Sequence, residues 1–165
     1  MSTIQRSIDV HVPVSTAYNQ WTQLETFPHF VDYLQRLIQR TDTLLHGDIE
    51  LAGRRHMFEV DIVDQQPDEW IAWQAAQGPA HLGRATFQQL DDHHSRVMAE
   101  LTVPDTAADM AAQLAEQGLA GFKHYIESRG RESGAWRGYI ASSSTDSGTA
   151  LPRVSYGRRP VNRSR

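Results

Sequence analysis

At 165 residues and 39% hydrophobic content the chain suits one domain of ordinary size, and no apolar run approaches the ~20 residues a membrane-spanning helix needs. It has no cysteine, which excludes disulfides, thiolate catalysis and Cys-ligated zinc and fits a reducing cytoplasm. The net charge of −4 is unevenly spread: residues 141–165 hold five arginines against Asp146, so the body is acidic, and an acidic body argues against nucleic-acid binding by the folded domain.

Residues 7–12 alternate strictly, with Ile8, Val10 and Val12 on one face, which predicts a half-buried strand straight after Met1 to Arg6 and no apolar export segment. Pro13 ends it. Ser15 or Thr16 can then cap a helix on which Ala17, Tyr18, Trp21 and Leu24 recur at helical spacing. Residues 27–34 read as a short second helix with Pro28 in its first turn. From about 35 to 103 the period changes to two, predicting strands at 36–41, 44–51, 54–63, 70–76, 81–90 and 95–103. Turn residues such as Ala52-Gly53, Gln66-Pro67-Asp68 and Gly78-Pro79 separate them, and links this short join antiparallel neighbours only.

After Pro104, Asp105 or Thr106 can cap a long helix reaching about Arg129, with Met110, Ala111, Leu114, Phe122 and Ile126 along one side. Gly130 stands where a C-terminal cap belongs, while Gly118 and Gly121 either admit a close backbone or mark a bend. The expected fold is therefore α+β: a seven-stranded curved antiparallel sheet around a long C-terminal helix, with two short helices after the first strand. The domain is expected over 1–138, and the Ser/Gly/Arg-rich segment 139–165 as a disordered tail.

Strand alternation puts Phe58, Val60, Ile62, Ile71 and Trp73 on one face together with Gly83, Ala85, Phe87 and Ala99, and puts mostly polar residues on the other. A helix about 10 Å wide cannot cover seven strands spaced about 4.8 Å apart, so the sheet must curl around it and leave room. The lining mixes aromatics with glycine and alanine, which predicts an apolar cavity for a hydrophobic small molecule. Phe58, Val60, Trp73, Phe87 and Ala85 are the expected ligand contacts from the sheet. Phe30, Leu114 and Phe122 are those from the helical side.

His56 and His81 fall in phase with the inward residues, and with Tyr33 they are the candidates for moving protons. Asp91-Asp92-His93-His94 reads as a solvated turn rather than a chelate, so no metal site is expected. No phosphate loop, nucleophile elbow or nucleophile–base pair is found, and no cofactor is expected. A homodimer stays open.

The layout, strand, two short helices, six strands and a long helix, resembles the SRPBCC superfamily of START-like, helix-grip proteins. The nearest branch is the polyketide cyclase/dehydrase group, which includes coenzyme Q-binding proteins. The similarity rests on Val12-Pro13-Val14-Ser15-Thr16-Ala17-Tyr18-Asn19-Gln20-Trp21, on Phe27-Pro28-His29-Phe30, on Pro67-Asp68-Glu69-Trp70-Ile71-Ala72-Trp73 and on Phe122-Lys123-His124-Tyr125-Ile126-Glu127-Ser128-Arg129-Gly130. It spans roughly residues 4–138, and the segment 127–138 is similar to small actinobacterial members. The resemblance implies a cavity for lipids, polyketides or isoprenoid-like molecules, used by a carrier or sensor or by a cyclase, aromatase or dehydratase. It also implies an inward arginine and a tyrosine in aromatase members. Here Leu34 stands at the tyrosine's place beside Tyr33, and Asp64 or Gln65 near the arginine's.

Overall fold

The computed structural model describes residues 1–141; of the expected tail, residues 142–165 lie outside the described residues. The chain runs through strand β1 (Ser2–Val10), helix α1 (Val14–Trp21), a 3-10 turn (Leu24–His29) and β2 (Leu34–Gln39). It continues through β3 (Leu44–Leu51), β4 (Arg54–Gln66), β5 (Trp70–Gln77), β6 (Leu82–Asp91) and β7 (His94–Val103) to the long helix α2 (Ala108–Arg129). Strands β2 to β7 form an antiparallel meander, and β1 closes onto β7 to give the order β1-β7-β6-β5-β4-β3-β2. Seven strands, a curl and one long helix agree with the sequence reading.

Three local expectations are corrected. The second short helix is a 3-10 helix over Leu24–His29 instead of a helix over 27–34, and the Tyr33 carbonyl accepts from Glu50 N–H at 2.9 Å, which draws residues 33 and 34 into the sheet. Neither helix has the expected side-chain cap. Asp105 turns away to the first strand instead, accepting from Ser2 Oγ at 2.7 Å and meeting the Met1 ammonium at 3.1 Å. The third correction is a slip in β4 between Ile62 and Asp64, where one extra residue brings Gln65 to the inner face opposite Ile71. Strict alternation cannot foresee such a bulge.

Helix α2 leans on β1 and β7, while the 3-10 turn covers β2 at the other edge. The helix buries Ala111, Ala115, Leu119, Phe122 and Ile126, and Gly130 closes it in the left-handed region at φ 79°, its N–H donating to the Ile126 carbonyl at 2.8 Å. Gly118 and Gly121 are close-approach positions. The Tyr33 hydroxyl lies over Gly118, and the Phe30 carbonyl lies against Gly121 where any Cβ would stand. Alanine at 121 would gain about 1 kcal/mol of helix propensity. It would also drive a methyl into a main-chain oxygen that cannot swing aside, and forced overpacking costs about 1–3 kcal/mol. Gly121→Ala is therefore expected to lower the denaturation midpoint, and a raised midpoint would show that the backbones have room to part.

A further element was not anticipated. After Gly130 the chain returns as a strap over α1 and meets β4 at Ile140. Trp136 and Ile140 are buried, and Ile140 and Gln65 exchange both backbone hydrogen bonds, at 2.8 and 3.1 Å. The strap consumes the polar groups that α1 turns inward. Gln20 accepts from Ser133 N–H at 2.7 Å and donates to its Oγ at 3.0 Å, Thr22 Oγ1 accepts from Trp136 N–H at 3.0 Å, and Asn19 takes Arg137 at 2.6 Å.

Candidate functional site

Between the leaning helix and the curled sheet lies a cavity of about 460 Å³. Its size falls within the range of small-molecule sites. The sheet wall is built from alternate residues of β3, β4 and β5: Leu45 and Ile49, then Phe58, Val60 and Ile62, then Ile71 and Trp73. Ala99 and Leu101 of β7 continue it, and Met110, Ala111, Leu114 and Ala115 of α2 form the opposite wall. Among the described residues none that lines it is Lys, Arg, Asp or Glu. A charged ligand group would therefore meet no counter-charge within, and burying one unpaired is costly.

Glycines shape the sheet wall. Phe58 pairs with Gly47, and Trp73 pairs with Gly83. In both cases the aromatic ring lies down on the glycine, filling the space that a side chain would occupy. The rings thus pave the wall instead of crossing the hollow, which is how large residues and an open interior coexist.

The floor is aromatic. Trp21 and Phe27 reach the cavity, with ring centroids 5.1 Å apart. Behind Trp21 stand Phe87 at 5.7 Å and Phe122 at 5.1 Å, and Tyr18 packs on Phe87 at 5.3 Å. Phe30 sits behind Phe27, at 5.0 Å. Of the expected ligand contacts, Phe58, Val60, Trp73 and Leu114 line the cavity, whereas Phe87, Phe122 and Phe30 form this back layer. Ala85, fully buried, lies between Ile71 and Ala99 and does not reach the space. No residue of β6 lines it, since Trp73 covers Gly83 and Phe87 turns to the floor. Leu37, Leu45 and Ile49 line the cavity without having been expected there: the alternation of Leu45, Gly47 and Ile49 along β3 carried the signal, whereas the register shift between Leu34 and Arg36 hides Leu37 in β2.

The proton-transfer candidates separate. Tyr33 lines the cavity, but its hydroxyl donates to the Leu114 carbonyl at 2.8 Å, and burial pushes the phenol up to about 12. His81 also lines the cavity, with Nδ1 3.0 Å from the Pro79 carbonyl. His56 is half-buried opposite Ile49 and does not reach the space. Leu34, at the tyrosine's place in the resemblance, is a lining residue. Gln65 occupies the inward position near the arginine's place and is locked in the core, its Nε2 donating to the Tyr18 hydroxyl at 2.9 Å. Asp64 pairs with Ala72, one rung from the inner face. No helix among the described residues is long and apolar enough to cross a membrane.

Comparison with known proteins agrees with this architecture. The sequence profile of a family described as polyketide cyclase / dehydrase and lipid transport matches residues 10–121. Over 149 residues the chain is 43% identical to an uncharacterized 17.2 kDa protein from the melC2-rnhH intergenic region of Streptomyces lincolnensis, covering 85% of this chain and 99% of that one. Among solved structures, a START superfamily protein from Mycobacterium smegmatis superposes with a TM-score of 0.61 at 17% identity, over 77% of this chain and 95% of the other. The ZhuI aromatase/cyclase from a Streptomyces species does so with a TM-score of 0.62 at 13% identity, over 81% and 98%. At these identities the structural matches establish the fold, the helix-grip of START-like proteins.

Proposed function

Because this chain belongs to the polyketide cyclase / dehydrase and lipid transport family, we propose that it is a carrier or sensor which holds a hydrophobic lipid, polyketide or isoprenoid-like molecule in the cavity between sheet and helix. The observation that carries the reading is the commitment of Tyr33. Its hydroxyl is spent on the Leu114 carbonyl and its acidity is depressed by burial, so it is poorly placed to exchange a proton with a ligand. The walls supply apolar binding surface, and among the described residues they carry no carboxylate, lysine or arginine.

A second reading, a cyclase or dehydratase that steers a reactive polyketide by pocket shape, is favoured by one observation: His81 is an imidazole on the cavity wall. Native mass spectrometry of protein purified from its own host separates the two. A co-purifying apolar molecule, released unchanged on denaturation, is the outcome expected of a carrier. Empty protein that reshapes a polyketide chain in vitro would establish the enzyme.

Trp73→Ala tests the wall itself. Removing an aromatic contact of this size is expected to weaken binding of an apolar fluorescent probe by about tenfold or more. The residue is only half-buried, so stability should change much less. Unchanged affinity would make Trp73 ordinary core.

A further inference from the structure

Away from the floor, three side chains among the described residues bring nitrogen or oxygen to the cavity lining: Tyr33, Trp73 and His81. The Tyr33 hydroxyl already donates to the main chain. The other two stand on adjoining rungs of one sheet face, Trp73 paired with Gly83 and the His81 carbonyl accepting from Ala75 N–H at 2.9 Å. Diagonal neighbours of this kind lie about 7–8 Å apart at the backbone, within joint reach of one small group held between their side chains.

Their hydrogen-bonding characters are complementary. A carbonyl oxygen can only accept, so the 3.0 Å contact between His81 Nδ1 and the Pro79 carbonyl places the hydrogen on Nδ1. In the neutral ring Nε2 is then an acceptor. An indole N–H can only donate. Among the described residues no hydrogen bond engages that of Trp73, whose ring is laid on Gly83. Besides the Trp21 indole on the floor and the engaged Tyr33 hydroxyl, this one wall thus offers one donor and one acceptor, and among the described residues no Lys, Arg, Asp or Glu lines the space.

We propose that the ligand carries a single neutral hydroxyl, phenolic, enolic or alcoholic, which accepts from Trp73 Nε1–H and donates to His81 Nε2, while its apolar body fills the rest. The inference rests on the hydrophobic-ligand reading above and narrows it. A ketone or ether would leave His81 Nε2 unmet, and a carboxylate would bring a charge with no cation on the walls to receive it.

The test uses the full chain and three probes of one shape, 1-hydroxypyrene, 1-methoxypyrene and 1-pyrenecarboxylate, titrated by fluorescence at one neutral pH. Wild type is expected to bind hydroxypyrene about tenfold or more tightly than either analogue, the penalty for an unpaired polar group. In His81→Phe the preference should shrink to about twofold, and His81→Gln, whose side-chain oxygen can still accept, should restore part of it. Thermal melts of both variants confirm folding. Equal or tighter binding of the carboxylate by wild type, or a preference that survives His81→Phe, overturns the hydroxyl assignment. Equal binding of all three overturns the assignment and leaves the cavity reading intact. Binding of none overturns both.

Discussion

Trp136→Ala is expected to cost about 3–5 kcal/mol, the usual range for truncating a buried tryptophan. For a domain of this size that corresponds to a fall of about 10 °C or more in melting temperature. The indole is 2% exposed, and its residue is held where the Trp136 main-chain N–H donates to Thr22 Oγ1 at 3.0 Å. Thr22 in turn donates to the Asn19 carbonyl at 2.6 Å, and the strap also satisfies Gln20, which is fully buried. Loosening the strap removes the hydrogen bonds that Gln20 and Thr22 make to Ser133 and Trp136, so the penalty exceeds lost apolar contact alone. Truncation after Gly130 should therefore destabilise at least as much as Trp136→Ala. A melting temperature within about 3 °C of wild type for either variant would show that α1 and β4 are held without the strap.

Ala115→Trp is expected to abolish binding of an apolar probe, with an affinity loss of at least about 100-fold, while the fold survives. Ala115 is on the buried side of α2 and lines the cavity, so an indole there grows into open space instead of into packed neighbours. Overpacking of a full core costs about 1–3 kcal/mol, and filling a hollow avoids most of that. The melting temperature should stay near that of wild type or rise. Undiminished binding would place the probe elsewhere on the protein. Collapse of the fold would mean that the space beside Ala115 is not there to be filled.

How much of this was legible in the sequence follows from what kind of information each feature needs. Strand alternation is local, so β3 was read to the residue at 44–51, and the inward set Phe58, Val60, Ile62, Ile71 and Trp73 was read correctly as a face. The hollow followed from a size argument, one helix against seven strands, that needs no coordinates. Which inward residues touch the space is not local. Phe87 and Phe122 share the apolar face, but they stack behind Trp21, and only the course of α1 across β6 and β7 determines that. The bulge that turns Gln65 inward is set by pairing with β5, and no composition signal marks it. The strap was missed for a related reason: Asn19, Gln20, Thr22 and Gln23 look like a solvated helix face until a distant segment arrives to pair with them.

The most direct test of the cavity is a methyl-labelled NMR titration of the wild-type chain with 1-methoxypyrene. Methyl signals of Leu37, Leu45, Ile62 and Leu114 should shift and show contacts to the probe, while those of Val10 and Ile126, fully buried away from the hollow, stay in place. Shifts confined to the outer face of the sheet, or no shift at all at saturating probe, would contradict an open interior that takes up a hydrophobic molecule.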